Sequence, residues 1–224
     1  MPPRRMDKKR YELLVFDWDG TLVDSTGAIA QAILGAADDI GTPVPDRSLA
    51  SHVIGLGLAQ ALARVVPYLP PERIGDFAAR YRAHFRGSED AIRLFEGAVE
   101  MLDTLHERGV RMAIATGKTR AGLDRALKNA GLQGHFESVR CADQTHPKPH
   151  PAMLQELALE LDVDLQDILM IGDTSHDLQM AASAGVAAVG VAYGAHSRAE
   201  LERLQPLAIF DSLAALRDWL LERC

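Results

Sequence analysis

The stretch YELLVFDWDGTLVDS, Tyr11 to Ser25, sets Leu13, Leu14, Val15 and Phe16 directly before Asp17-Trp18-Asp19-Gly20. An apolar run without alternation predicts a strand buried on both faces, and the polar tetrapeptide after it predicts a tight turn. Strand side chains alternate between faces, so Asp17 and Asp19 are expected to point one way and Trp18 the other. Gly20 lets the chain turn sharply, and backbone N–H groups in such a turn can face an anion. Two carboxylates on one edge repel each other unless a cation lies between them or one keeps a proton. A magnesium ion would neutralise the pair together with a phosphate, and a protonated second carboxyl could serve as a general acid. Taken alone, Asp-x-Asp-Gly is equally a plain loop after a strand, so the rest of the chain has to decide.

With 224 residues, 47% of them hydrophobic, the chain can bury a full core as one large domain or as a core with a smaller insert. The net charge of −7, with no long Lys/Arg block, argues against nucleic acid as a partner. The short basic start, Arg4, Arg5, Lys8, Lys9 and Arg10, lacks the hydrophobic segment of a signal peptide and reads as a solvated tail. No run approaches the roughly 18 to 20 apolar residues of a membrane span, so no membrane partner is expected. Two cysteines, Cys141 and Cys224, make no disulfide framework, and a reducing cytoplasm is the default compartment.

Helical spacing is predicted over Thr26 to Ile40, Leu58 to Val66 and Glu72 to Phe85, broken by Gly41-Thr-Pro-Val-Pro, Pro67 and Pro70-Pro71. These segments read as a small all-helical insert whose ends, near Val23 and Leu94, are candidate hinges; a continuous α-domain is the other reading. From Phe95 onward helices and strands alternate. Strands are expected at Val110 to Ala115, Val139 to Ala142, Ile168 to Ile171, Val186 to Ala192 and Leu207 to Phe210. Helices are expected at Ala98 to Arg108, Arg120 to Asn129, Pro151 to about Leu161 and Leu178 to Ala184, with a closing one through Leu213, Leu216, Leu220 and Leu221. This order predicts an α/β fold, a doubly wound, Rossmann-like parallel sheet core with a small all-helical cap inserted after the first strand. The division is residues 1–22 and 94–224 for the core and 23–93 for the cap.

In such sheets ligands bind beyond the carboxyl ends of the strands. The strands here end in Asp17-Trp18-Asp19-Gly20-Thr21, in Thr116-Gly117-Lys118 and in Gly172-Asp173-Thr174-Ser175-His176-Asp177, while Thr145-His146-Pro147-Lys148-Pro149-His150-Pro151 follows the weaker third strand. Prolines on both sides of Lys148 reduce that loop's freedom. Carboxylates, a hydroxyl and an ammonium on one edge suit a phosphoryl group bound through a divalent cation. Each has a blander reading: Thr116 as a helix start, Lys148 as a solvated lysine, Asp173 and Asp177 as a helix cap and first-turn acid. Lys118 either touches phosphate or faces water. His146, His150 and His176 lack the spacing and the cysteine partners of a zinc site.

With these motifs in order, the chain resembles the haloacid dehalogenase-like hydrolases, in the branch with a helical cap after the first strand. FDWDGT resembles the family's first motif, the Thr of ATGK its second, the Lys of HPKPHP its third and GDTSHD its fourth, which together cover nearly the whole chain. VDS after the first motif, and Ile54-Gly55-Leu56-Gly57-Leu58 in the cap, are similar to the phosphoglycolate phosphatase group. The resemblance implies that Asp17 attacks phosphorus to form an aspartyl phosphate and that Asp19 is the general acid and base. Thr116, Gly117 and Lys148 would bind the phosphate. Magnesium would be held by the carboxylates of Asp17 and Asp173 and the backbone carbonyl of Asp19, with Asp177 orienting its waters. The implied partner is a small phosphorylated metabolite, 2-phosphoglycolate among the candidates, its carboxylate gripped by Arg64. The phosphonate-cleaving relatives need a cap lysine, and Leu22 to Ala115 holds none. A dehalogenase has no need of Asp19. A sugar phosphate mutase and a non-catalytic binding module of the same fold are the alternatives.

Overall fold

β1 (Leu13–Phe16) is fully buried, and its side chains divide between two cores: Leu14 and Phe16 join one cluster, Leu13 and Val15 the other. That division is why the run shows no alternation, since both faces of the strand meet apolar neighbours. A computed structural model describes residues 10–223 of the chain; the basic tail before Arg10 and the terminal Cys224 lie outside the described residues.

The chain leaves the core through β2 (Val23–Asp24) and enters α1 (Thr26–Asp39), α2 (Arg47–His52), α3 (Leu58–Val65) and α4 (Ile74–Ser88). It returns through β3 (Arg93–Leu94), which pairs antiparallel with β2, Val23 opposite Leu94 and Asp24 opposite Arg93. The two expected hinge positions are therefore the two strands of one short ribbon. The helices bury a cluster of their own, including Ile29, Ile33, Val53, Leu62 and Phe77. α2 has no counterpart in the sequence reading because a six-residue helix is too short to show a helical period. α4 starts two residues after Glu72, because a 3-10 turn over Pro71–Arg73 precedes it.

The remaining elements alternate. They are α5 (Ala98–Glu107), β4 (Arg111–Thr116), α6 (Arg120–Ala130), β5 (Ser138–Cys141), α7 (Ala152–Leu161), β6 (Ile168–Gly172), α8 (Ser175–Ala184), β7 (Ala187–Val191), α9 (Arg198–Glu202), β8 (Ile209–Phe210) and α10 (Leu213–Leu221). The six-stranded sheet runs β5-β4-β1-β6-β7-β8 with every pair parallel. β1 lies at its centre, and the chain fills β4 and β5 on one side before crossing to β6, β7 and β8 on the other. The reversal beside β1 leaves a crevice at the strands' carboxyl ends.

α8 starts at Ser175, three residues before the sequence reading placed it. Thr174 caps it: its hydroxyl accepts the Asp177 N–H, while Asp177 accepts the Thr174 N–H. Ser197 and Glu200 form the same capping box on α9, a Ser-x-x-Glu signal the periodicity did not show. Among the described residues no helix is long and apolar enough to cross a membrane. Phe77 is fully buried in the helical cluster, so Phe77→Ala should cost about 3–5 kcal/mol. Urea unfolding followed by circular dichroism would read this, and a loss under about 1 kcal/mol would show that the cluster repacks around the gap.

Candidate active site

The alternation of β1 continues into the turn. Trp18 stays with the Leu14 and Phe16 face, while Asp17 and Asp19 are buried and polar. Their carboxylates have separate partners. Lys148 Nζ donates to Asp17 Oδ1 at 2.6 Å, whereas Asp19 holds Lys118 Nζ with both oxygens, 2.9 and 3.0 Å, and accepts the Ser25 hydroxyl at 2.6 Å. Gly20, with φ +86°, makes the turn as its sequence suggests. Its N–H does not face an open site, because it donates to the Val23 carbonyl. A Cβ at Gly20 would lie 2.1 Å from Asp173 Oδ2, so the glycine also makes room for that carboxylate.

Lys148 is fully buried rather than solvated, and its ammonium reaches Asp17 and Asp177, each at 2.6 Å. Asp177 thus has two tasks: Oδ2 caps α8 through the Thr174 N–H and hydroxyl, and Oδ1 pairs with Lys148. Asp173, at the end of β6, accepts the Thr21 hydroxyl at 3.0 Å and the Ala195 N–H at 2.7 Å. Thr116 is buried at the end of β4, its hydroxyl accepting the Lys118 N–H at 3.2 Å. Gly117 lies against the cap, where a Cβ would meet the carbonyls of Gly55 and Leu56 at 2.6 and 2.7 Å. The sheet edge therefore brings Asp17, Lys148, Asp173 and Asp177 into one group, with Asp19, Lys118 and Ser25 beside it. The hydroxyls of Thr21, Ser25 and Thr174 donate to Asp173, Asp19 and Asp177; these residues lie inside the quoted motifs, but the sequence reading gave them no role. Lys118, for which phosphate and water were the two sequence readings, pairs with Asp19 instead.

Oxygens of Asp17, Asp173 and Asp177 come within 4.8 Å of one another. Three buried carboxylates face one ammonium there, and Asp17 Oδ2 has no hydrogen-bond partner. Burial raises Asp17 to about 7, Lys148 drawing it down and the charges of Asp177 and Asp19 pushing it up. Asp173 is raised well above the carboxylate range by burial, then by Asp17 and Asp177. Burial alone would lower Lys148, but the two carboxylates outweigh it and hold it charged. Excess negative charge on hard oxygen donors, one of them unpartnered, fits a magnesium ion. The Asp19 carboxylate, engaged by Lys118 and Ser25, is not one of these donors.

A second contact between cap and core converges on one carbonyl. His176 Nε2 and His196 Nε2 lie 3.0 and 3.1 Å from the oxygen of His52, which can only accept, so both are donors. The Ser175 N–H occupies His196 Nδ1 at 2.9 Å, which leaves no lone pair for a metal although His52, His196 and Glu200 lie close together. Burial lowers both histidines, His176 to about 4, so they are neutral near pH 7. Above the seat, a cavity of about 740 Å³ opens onto Asp19 and Lys118.

A family model described as haloacid dehalogenase-like hydrolase matches residues 14–191. A protein named probable phosphatase IndB, from Dickeya dadantii, is 37% identical over 207 residues, covering 90% of each chain. A phosphoglycolate phosphatase of Rhodospirillum rubrum is 32% identical over 218 residues, 92% of this chain and 90% of that one. The crystal structure of a hydrolase from Pseudomonas syringae superposes with a TM-score of 0.86 at 25% identity, over 93% of this chain and 97% of that one.

The raised Asp17 makes stability depend on pH. Its folded value lies above its unfolded one, so the folded chain holds the extra proton between about pH 4 and pH 7, and stability falls as pH rises through that window. A bound cation removes the penalty at high pH, where no proton competes for the oxygens. Magnesium should therefore raise the Tm more at about pH 8 than at about pH 5.5. Calorimetry with chelator and with magnesium reads the difference, and equal shifts at both pH values would contradict this picture of the acid cluster.

Proposed function

The chain belongs to the haloacid dehalogenase-like hydrolases, and on that footing we propose that it carries the phosphoryl group of a small phosphomonoester onto Asp17 and then to water. It is a phosphatase of that family, a phosphoric monoester hydrolase. The observation that carries the mechanism is the asymmetry of Asp17. Oδ1 is fixed by Lys148 while Oδ2 is buried, unpartnered and available as a nucleophile.

In this reading Asp17 Oδ2 attacks phosphorus, and the ester oxygen leaves with a proton from Asp19. An arriving phosphate dianion draws the Lys118 ammonium toward itself and frees Asp19 to carry that proton. Asp19 then takes a proton from the water that splits the aspartyl phosphate, which returns Asp17 to a free carboxylate and Asp19 to its protonated form. Thr116, whose hydroxyl accepts one hydrogen bond, offers its hydrogen to a transferring oxygen, and the Gly117 backbone lies beside it. Magnesium held by Asp17, Asp173 and the Asp19 carbonyl would add positive charge as the phosphoryl oxygens gather electrons. Asp177, with both oxygens already engaged, acts from behind by holding Lys148 and the start of α8. Residues 23–93 act as the cap over the core of residues 1–22 and 94–224. A reducing cytoplasm suits the free, buried thiol of Cys141.

The substrate is a small phosphorylated metabolite. 2-Phosphoglycolate is a candidate through the relative of that name. Arg64 is withdrawn as its carboxylate grip, because it is exposed on α3 and does not line the cavity.

Asp17→Asn should fold normally and lose at least about a thousandfold in kcat, since an amide of nearly the same shape cannot attack phosphorus. Phosphate release from p-nitrophenyl phosphate measures this. Chelation should abolish wild-type turnover and magnesium should restore it; full activity after exhaustive chelation would remove the ion from the scheme.

A further inference from the structure

The cavity above Asp19 and Lys118 is much larger than a two-carbon substrate requires. Its volume of about 740 Å³ lies in the range of pockets for drug-sized ligands and cofactors, roughly 300–1,000 Å³. A two-carbon phosphate ester takes up on the order of 150 Å³, about five waters at 30 Å³ each. The space is not a gap left by a lifted cap. His52 is seated on His176 and His196, and the Gly55 and Leu56 carbonyls lie so close to Gly117 that no Cβ fits between them.

The wall belongs largely to the cap and is apolar: Ile29 and Ile33 from α1, Leu58 from α3, Tyr81 and Phe85 from α4. An apolar wall adds affinity only when the ligand is large enough to displace water from it. Tyr81 and Phe85 lie one turn apart with ring centroids separated by 6.1 Å and planes inclined by 17°, so they offer nearly parallel flat faces. Both are tied to the catalytic end. Lys118 Nζ lies 4.7 Å from the Phe85 ring centroid while gripping Asp19. Tyr81 lines the same cavity as Asp19. Exposed Arg82 and Arg86 also line the cavity and attract an anion to it, while Arg125 there is paired with Glu89 at 3.8 Å.

We propose that this cavity selects phosphomonoesters whose alcohol carries a flat ring, with Tyr81 and Phe85 as the residues that recognise the ring. The proposal rests on the phosphatase reading and narrows its substrate class. Ring-bearing esters cover the aromatic wall, whereas glycolate and glycerol esters leave it wet. Stacking against an aromatic face then adds to the area buried.

The test compares kcat/KM, with magnesium present, for four phosphate esters of primary alcohols: uridine 5′-monophosphate, pyridoxine 5′-phosphate, 2-phosphoglycolate and glycerol 3-phosphate. The two ring-bearing esters should lead by at least about tenfold. Phe85→Leu and Tyr81→Leu keep apolar bulk but remove a flat face. Each should lower the ratio of ring-bearing to glycerol ester by about fivefold, mostly through KM. Using the ratio cancels any effect passed through Lys118 to the common chemistry. Small esters that match or lead the ring-bearing ones, or a ratio unmoved in both variants, overturn the proposal while leaving the phosphatase intact. Turnover of none of the four, or turnover that survives Asp17→Asn, would sink the phosphatase reading and this one with it.

Discussion

A single ammonium holds the acidic centre of this protein together. Lys148, with no exposure to solvent, lies 2.6 Å from both Asp17 and Asp177. Water would solvate any of these groups better than the protein interior does, so the arrangement persists only because each charge faces an opposite one. Through Lys148 the loop after β5 is joined to the end of β1 and the start of α8. It fixes Asp17 by one oxygen and supports the helix cap that starts α8. The remaining imbalance, a third carboxylate on Asp173 and an unpartnered oxygen on Asp17, is what gives the site its appetite for a cation.

The sequence made β1 legible because the strand is buried on both faces, so its apolar run had no polar residue to blur it. The ends of β1, β4 and β6 were legible for a related reason: each apolar run stops abruptly at a polar residue that has to face the crevice. Lys148 was readable as a residue type but not as a buried one. Its partners lie 131 and 29 positions away, and only the strand order brings them together. Lys118 shows the same limit, since nothing local reveals that Asp19, 99 positions earlier, is its partner. α2 and the β2–β3 ribbon were invisible because six and two residues are too few to carry a period. The amide of Gly20 was misjudged because the tight turn spends it on the Val23 carbonyl, a contact made within the loop itself.

The cap and core divide the labour between polar and apolar surface. The core supplies the charged groups at the sheet edge, each positioned by the end of a strand and held by neighbouring hydroxyls. The cap supplies an independent apolar cluster, so its helices keep their shape whatever lies in the cavity. Contact between them is polar and sparse at the His52 carbonyl, where two neutral imidazoles converge on the carboxyl end of α2. Donors there meet carbonyls that the helix leaves unpaired.

At the seam between Gly117 and the Gly55–Leu56 segment, the backbone of Gly117 lies against the backbone carbonyls of Gly55 and Leu56. A contact of that kind cannot drift by small steps, because the smallest available change, a methyl group, already collides with a carbonyl. A side chain is therefore excluded at Gly117, whereas the far wall of the cavity is built from side chains of α1 and α4. The fold thus sets a rigid backbone contact at one end of the cavity and exchangeable side chains at the other.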